Sequence, residues 1–397
     1  MSLDTTVQQA IENGTIPGAV LLATNTAGSF TYQSAAGKRT LQPGADDPLQ
    51  LNSIFAIASM TKLLTTICAL QFVERGVVGL DDDVTSHIPV LANQPILVGF
   101  KDDGTPILEK RRKDITLRHL LTHSAGTSYA LAEPKMLQYL QHEGLKPMEG
   151  NTIDEIFNYP LLYQPGEGWS YGSSVSWAGK VIESLSGKSL EECIQENVFK
   201  PLGLSRVTFS PDQVPSMAGQ LCDLHHRDEA MGNLVPIGPA LPYFKSTNHL
   251  GGEGAFADLT EFFKVMESLL RDDGRLLKSE TAKLMFEPQL PSDEARAALK
   301  AAVESPEWQA MGDFSGPKEY AWAFGGILVA GDGHPFRKRG CLIWGGAPNQ
   351  FWSIDRQAGV CALFGTTVFP PADARTGEVI STFEKHVYAE AAKAAAN

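Results

Sequence analysis

Ser59 and Lys62, in the run Ser59-Met-Thr-Lys62, stand three residues apart at the start of a helical pattern, a spacing that turns a hydroxyl and an amine to the same side. A serine hydroxyl is a weak nucleophile at neutral pH. An amine held in a poorly solvated pocket gives up its proton more readily and can then accept the one that serine must lose. Lys62 is followed by Leu-Leu-Thr-Thr-Ile-Cys-Ala-Leu, so its charge falls at the mouth of a buried helix and not on a wet face. A serine at a helix N-terminus also has its own amide aimed at developing negative charge. Taken alone, S-x-x-K fits an ordinary helix start equally well, with Ser as N-cap and Lys in solvent.

Two further groups could complete that chemistry. Tyr171-Gly172-Ser173 lies between a Pro/Gly loop and a helical pattern, and a tyrosine docked against an ammonium could pass a proton between nucleophile and leaving group. Trp344-Gly345-Gly346-Ala347 ends a strand-like run. Paired glycines there let backbone approach a ligand, and an exposed amide could bind an oxyanion opposite that of Ser59.

Other motifs lack their context. Gly168-Trp-Ser-Tyr-Gly172 is formally G-x-S-x-G, but Ser170 follows a turn-rich loop where a nucleophile elbow needs a buried strand. His119 and His123 form H-x-x-x-H on a helical pattern without the intervening Glu of a zinc protease, and Gly179-Lys180 lacks the spacing of a phosphate-binding loop. No metal and no cofactor is implied. With 33 Lys+Arg against 46 Asp+Glu the formal charge is −13, which repels phosphate backbones and anionic lipid, so neither nucleic acid nor membrane is an expected partner. The basic run Lys110-Arg-Arg-Lys113 reads as a solvated loop. The five cysteines are odd in number and never form C-x-x-C, the N-terminus has no signal-peptide pattern, and no stretch reaches the ~20 apolar residues of a membrane helix. A cytoplasmic protein is expected.

These groups need elements to hold them. Thr5–Asn13 reads as a helix, Ala19–Thr24 and Phe30–Ser34 as a hairpin, and Leu63, Leu64, Ile67, Leu70 and Val73 as the apolar face of a central helix. Helical patterns dominate from about Leu80 to Asp223. After a helix over Leu259–Leu270 come strand-like runs at Ala323–Val329, Cys341–Trp344 with Gln350–Ile354, and Val360–Thr366, an antiparallel meander. A last helical pattern, Ala372–Ala395, should pack across it beside the N-terminal helix.

The order S-x-x-K, Y-x-S, W-G-G, together with Ile115–Gly126, Pro165–Gly172, Pro201-Leu-Gly203 and Gly251-Gly-Glu-Gly254, resembles the class C β-lactamase-like serine hydrolases nearly end to end. Within them it is most similar to the fungal lovastatin acyltransferase and lovastatin esterase branch, beside the family VIII carboxylesterases. The resemblance implies an α+β, β-lactamase/transpeptidase-like fold: a sheet part from 1–56 and 250–397, a mostly helical part from 57–249, and the active site between them. It implies an acyl-enzyme on Ser59, Lys62 and Tyr171 as coupled base and acid, and the amides of Ser59 and Ala347 as oxyanion hole. Which of Lys62 and Tyr171 is the base stays open, because the two titrate as a pair. Ser173 stands where β-lactamases carry the Asn of Y-x-N, and Trp344 where K-T-G has its lysine; with that cation gone, carboxylate-bearing β-lactams are poor candidates as substrates. The expected activity is ester hydrolysis on a small-molecule ester or thioester with a bulky apolar or short acyl group. Alternatives are acyl transfer onto a secondary-metabolite alcohol, with an acyl-carrier donor, and a non-catalytic binding protein. Expected substrate contacts are Ser173, Trp344, Gly345 and Gly346, with Tyr129, Tyr243 and Phe244 as pocket walls drawn from Thr127–Tyr163 and Leu224–Asn248.

Overall fold

A computed structural model of the chain describes residues 2–228, 230–239, 246–305 and 319–396. Helix α1 (Leu3–Glu12) is capped by Ser2, whose hydroxyl accepts from the Thr5 amide, and leads into the antiparallel hairpin of β1 (Gly18–Asn25) and β2 (Thr31–Gly37). Helices α2 (Thr61–Glu74), α3 (Leu117–Leu121), α4 (Ser174–Ser186) and α5 (Leu259–Arg271) follow. Strands β3 (Tyr320–Trp322), β4 (Ile327–Val329), β5 (Leu342–Gly346), β6 (Gln350–Asp355) and β7 (Val360–Gly365) precede the long C-terminal helix α6 (Ala374–Ala396).

The seven strands form one antiparallel sheet in the order β3-β4-β5-β6-β7-β1-β2, so the N-terminal hairpin completes the C-terminal meander. Both β1 and β7 are buried along their whole length. That is the mark of strands covered on two faces, and it explains why Ala19–Ala23 reads as an unbroken apolar run. Neighbouring residues of a strand point opposite ways. Phe364 meets Phe383 of α6 with ring centroids 6.1 Å apart, whereas a Cβ on Gly365 would collide with Leu259 of α5. Helices α6 and α5 therefore cover opposite faces, and α1 packs beside α6. The α+β architecture, an antiparallel sheet flanked by the N- and C-terminal helices, is the expected one.

One expected strand divides. The apolar run Ala323–Val329 is broken by a turn at Phe324-Gly325-Gly326, closed by the Ala323 amide donating to the Gly326 carbonyl at 3.0 Å. Gly325 has φ +92°, which side chains rarely adopt, and a Cβ on Gly326 would come within 2.7 Å of the Ile343 carbonyl. The two glycines, and not the apolar run, decide the chain path there.

Helix α2 is buried on all sides from Thr61 to Phe72 and packs against α4 and the helix Leu190–Ile194, as a helix without a wet face must. A small sheet of Ile54–Ala56, Phe256–Asp258 and Val207–Thr208 ties the entrance of α2 to the segment after Gly254. Among the described residues no helix is long and apolar enough to cross a membrane.

Candidate active site

Ser59 lies in the short 3-10 turn Ala58–Met60 immediately before α2. Ala58 has φ +43°, a left-handed conformation that a residue with a Cβ adopts at a cost of roughly 1–2 kcal/mol. Three long-range bonds hold the turn. The Ile57 amide donates to the Ala255 carbonyl at 3.0 Å, the Ala255 amide to Thr61 Oγ1 at 3.1 Å, and Gln350 Nε2 to the Ala56 carbonyl at 3.0 Å. Strain fixed in this way by distant parts of the chain is typical of a functional position.

Lys62 is 2% exposed, and its Nζ donates three bonds: to Ser59 Oγ at 3.1 Å, to the Tyr129 hydroxyl at 3.1 Å and to the Gly252 carbonyl at 2.7 Å. Three donors used on three acceptors is the full capacity of an ammonium. The Gly252 carbonyl reaches the amine because that residue has no side chain; a Cβ there would lie 2.8 Å from Ser176 Oγ and 3.4 Å from Lys62 Nζ. The Tyr171 hydroxyl donates to Ser59 Oγ at 2.7 Å, and Lys62 Nζ lies 4.6 Å from the centre of the Tyr171 ring. One serine oxygen thus faces an amine from its own helix start and a phenol from 112 residues along the chain.

Tyr171 is held by Trp344 and His123. Trp344 Nε1 donates to its oxygen at 3.2 Å, the Trp344 ring packs 5.0 Å from it, and His123 packs 4.7 Å from its other side. His123 is fully buried, and burial, with Lys62 adding to it, holds its imidazole well below the ordinary titration range, hence neutral. Behind these rings, Trp322 stands edge-on to both His123 and Trp344. Gly172 admits no side chain, since a Cβ would fall 2.4 Å from the Ser128 Cα. On the opposite wall, a Cβ on Gly346 would meet the Ile57 carbonyl at 2.8 Å, so the end of β5 presses directly on the turn carrying Ser59.

The pocket above Ser59 has a volume of about 330 Å³ and mostly apolar walls. Ser59, Tyr129, Tyr171, Trp344, Gly345, Gly346 and Ala347 all line it. Ser173 does not: it is 1% exposed at the start of α4, among buried helix contacts. Tyr243 and Phe244 lie outside the described residues. Leu131, Ala132 and Met148 come from the expected wall segment Thr127–Tyr163; Glu253, inside the Gly251–Gly254 motif, and Pro371 are walls to which the motifs assigned no role.

The rival motifs lack the context their chemistry needs. Ser170 belongs to a loop, with its amide on the His123 carbonyl and no strand leading into it. His119 is part of the N-cap of α3, its Nδ1 accepting from the Thr116 amide, while His123 falls beyond the helix at φ +57°, so the two histidines do not share a helical face. In the basic run, Arg111 donates to the Ala92 carbonyl and Lys113 pairs with Glu167.

Known proteins resemble this chain along nearly its whole length. Residues 3–382 match the family model described as beta-lactamase. A lovastatin esterase of Penicillium rubens is 38% identical over 397 residues, covering 97% of this chain and 98% of that protein. A monacolin J acid methylbutanoyltransferase of Aspergillus terreus is 36% identical, covering 98% and 95%. Among solved structures, a mutant simvastatin synthase from Aspergillus terreus superposes with a TM-score of 0.89 at 35% identity, covering 98% of this chain and 97% of that one.

Proposed function

The chain belongs to the beta-lactamase family of serine hydrolases, and on that premise we propose that it cleaves carboxylic esters through an acyl group carried on Ser59. The observation that supports this reading is the meeting of Lys62 Nζ and the Tyr171 hydroxyl on one serine oxygen beside an apolar pocket. In the first step the Ser59 proton passes to the coupled Lys62/Tyr171 pair while Oγ attacks the ester carbonyl. The tetrahedral oxyanion rests on the Ser59 and Ala347 amides, each worth about 3 kcal/mol in comparable sites. The alcohol leaves with a proton returned through Tyr171, whose oxygen is steadied by Trp344 Nε1. Water then releases the acid by the same path in reverse.

The walls favour an apolar acyl group: Leu131, Ala132, Met148, Ala347 and Pro371 offer no cation to a substrate carboxylate. Trp344 stands at the strand position where a lysine would bind one. The relatives' names point to lovastatin and a methylbutanoyl group, in keeping with a bulky, polyketide-like ester as substrate here, and an acyl-carrier thioester would be the donor if an alcohol, and not water, took the acyl group. We favour water, because transfer needs a dedicated acceptor site. The division into 1–56 with 250–397 and 57–249, and a cytosolic location suggested by five buried free thiols, belong to the same reading. With a p-nitrophenyl ester we expect a burst of phenol, lost in Ser59→Ala, and an acid product that outweighs transfer when small alcohols are added. Transfer dominating at low alcohol concentration would rename the enzyme an acyltransferase; no burst and no turnover would leave a binding protein.

A further inference from the structure

Beside Lys62 lies a carboxyl group that the steps above do not use. Glu253, third residue of the Gly251–Gly254 loop, is 5% exposed and forms part of the pocket wall. Its Oε2 accepts from the Tyr129 hydroxyl at 2.7 Å and from the Ser176 hydroxyl at 3.3 Å. The Tyr129 oxygen in turn accepts from Lys62 Nζ at 3.1 Å. One phenol oxygen therefore joins amine to carboxyl and brings them within about 6 Å, where opposite charges shift each other's ionisation.

A lone charge in this setting is costly, and the pair can be neutral overall in two ways: ammonium with carboxylate, or amine with carboxylic acid. The two differ by a proton moved along the chain Lys62–Tyr129–Glu253. Burial, the largest influence on Glu253, raises its carboxyl above the ordinary range, against Lys62 and the two hydroxyl donors. Its other oxygen, Oε1, is buried and has no hydrogen-bond partner among the described residues. The acid form is thus within reach. Other groups facing the chain are Tyr171, whose ring is 5.6 Å from that of Tyr129, the neutral His123 behind Tyr171, and Ser176 on α4.

We propose that Glu253 is a positioning residue that sets the charge of Lys62 through Tyr129, holding the ammonium as a carboxylate and taking up a proton as the acid when Lys62 must serve as an amine. The transfer balances: one proton leaves Nζ for the Tyr129 oxygen as the proton of Tyr129 passes to Oε2, which leaves amine, phenol and carboxylic acid with no net charge change. The inference rests on the reading of Ser59 and Lys62 as nucleophile and proton acceptor.

The test is the pH profile of kcat/KM for a p-nitrophenyl ester in the full-length enzyme and in Glu253→Gln, which keeps the shape but can neither ionise nor accept the proton. Removing a carboxylate favours the neutral amine, so the acidic limb is expected to move to lower pH by about one unit or more, and Glu253→Asp is expected to restore it. A uniform loss of rate with the limb unmoved, as a purely structural residue would give, overturns the role. Should Glu253→Gln not fold, Tyr129→Phe cuts the same chain. Its limb must move in the same direction, and an unmoved limb there overturns the proposal as well. Ser59→Ala separates the two layers: retained turnover overturns the nucleophile and this inference together, while a dead Ser59→Ala with an unmoved limb in Glu253→Gln overturns Glu253 alone.

Discussion

Replacing Trp344 with Phe isolates the contribution of one N–H group. The indole donates to the Tyr171 oxygen at 3.2 Å, and its ring packs 5.0 Å from Tyr171 and 4.8 Å from Trp322; phenylalanine preserves much of that packing and removes the donor. A hydrogen bond to a group that becomes charged is worth about 1.5–3 kcal/mol. A length of 3.2 Å is at the long end for N–H···O, which points to the lower half of that range. If the bond acts in the transition state, the acylation rate falls by about 13- to 45-fold. The smaller ring leaves a gap in a site only 4% exposed, so stability should fall by about 1–2 kcal/mol, which leaves the protein folded. Stopped-flow bursts with a p-nitrophenyl ester read the rate directly, and urea melts check the fold. The decisive form is a double-mutant cycle: in a Tyr171→Phe background the Trp344 substitution should lose most of its effect on rate, since its acceptor is gone. Acylation within about twofold of wild type, or rate losses that simply multiply in the double mutant, would refute the assigned contact.

Gly172→Ala should destabilise by about 1–3 kcal/mol and slow acylation, because its Cβ would meet Ser128 backbone at 2.4 Å and push Tyr171 off Ser59; an unchanged urea midpoint would contradict this. Stability should also depend on pH through His225, fully buried, whose Nε2 accepts from the Leu41 amide at 3.1 Å and whose Nδ1 bonds Thr367 Oγ1 at 2.9 Å. Burial pushes its imidazole down to about 4 in the folded chain. The unfolded chain therefore binds the proton first as pH falls. The neutral-histidine contribution is complete above about 6.5 and is lost towards pH 4 at about 1.4 kcal/mol per unit. Urea unfolding at pH 7, 6 and 5 reads the slope, and His225→Gln should reduce it by about 1.4 kcal/mol per unit, leaving the share of the other depressed histidines, His119 and His123.

What could be read from the chain depended on how local each signal was. Ser59 and Lys62 are linked by helical spacing alone, and the strands of β1 and β7 show in their apolar runs. Tyr171 and Trp344 came into view through the order of motifs, not through any property of a lone tyrosine or tryptophan. Glu253, Tyr129 and His123 are different: their partners lie 67 residues or more away for Tyr129 with Lys62 and 124 for Tyr129 with Glu253, so no window of sequence pairs them. Glu253 stood inside a quoted motif without a role, since a carboxylate between glycines reads as a loop until its burial is known. Ser173 sat in the right motif, yet the start of α4 turns it into buried helix packing. The run Ala323–Val329 misled because periodicity sees apolar residues and not the turn that Gly325 and Gly326 impose.

The most direct test of the Ser59 assignment is to trap the acyl-enzyme at low pH after mixing with a slowly hydrolysed ester, digest it and locate the added mass. One acyl group is expected, on the peptide carrying Ser59, still formed in Ser170→Ala and absent in Ser59→Ala. An acyl group found on Ser170, or one that forms equally well without the Ser59 hydroxyl, would contradict it.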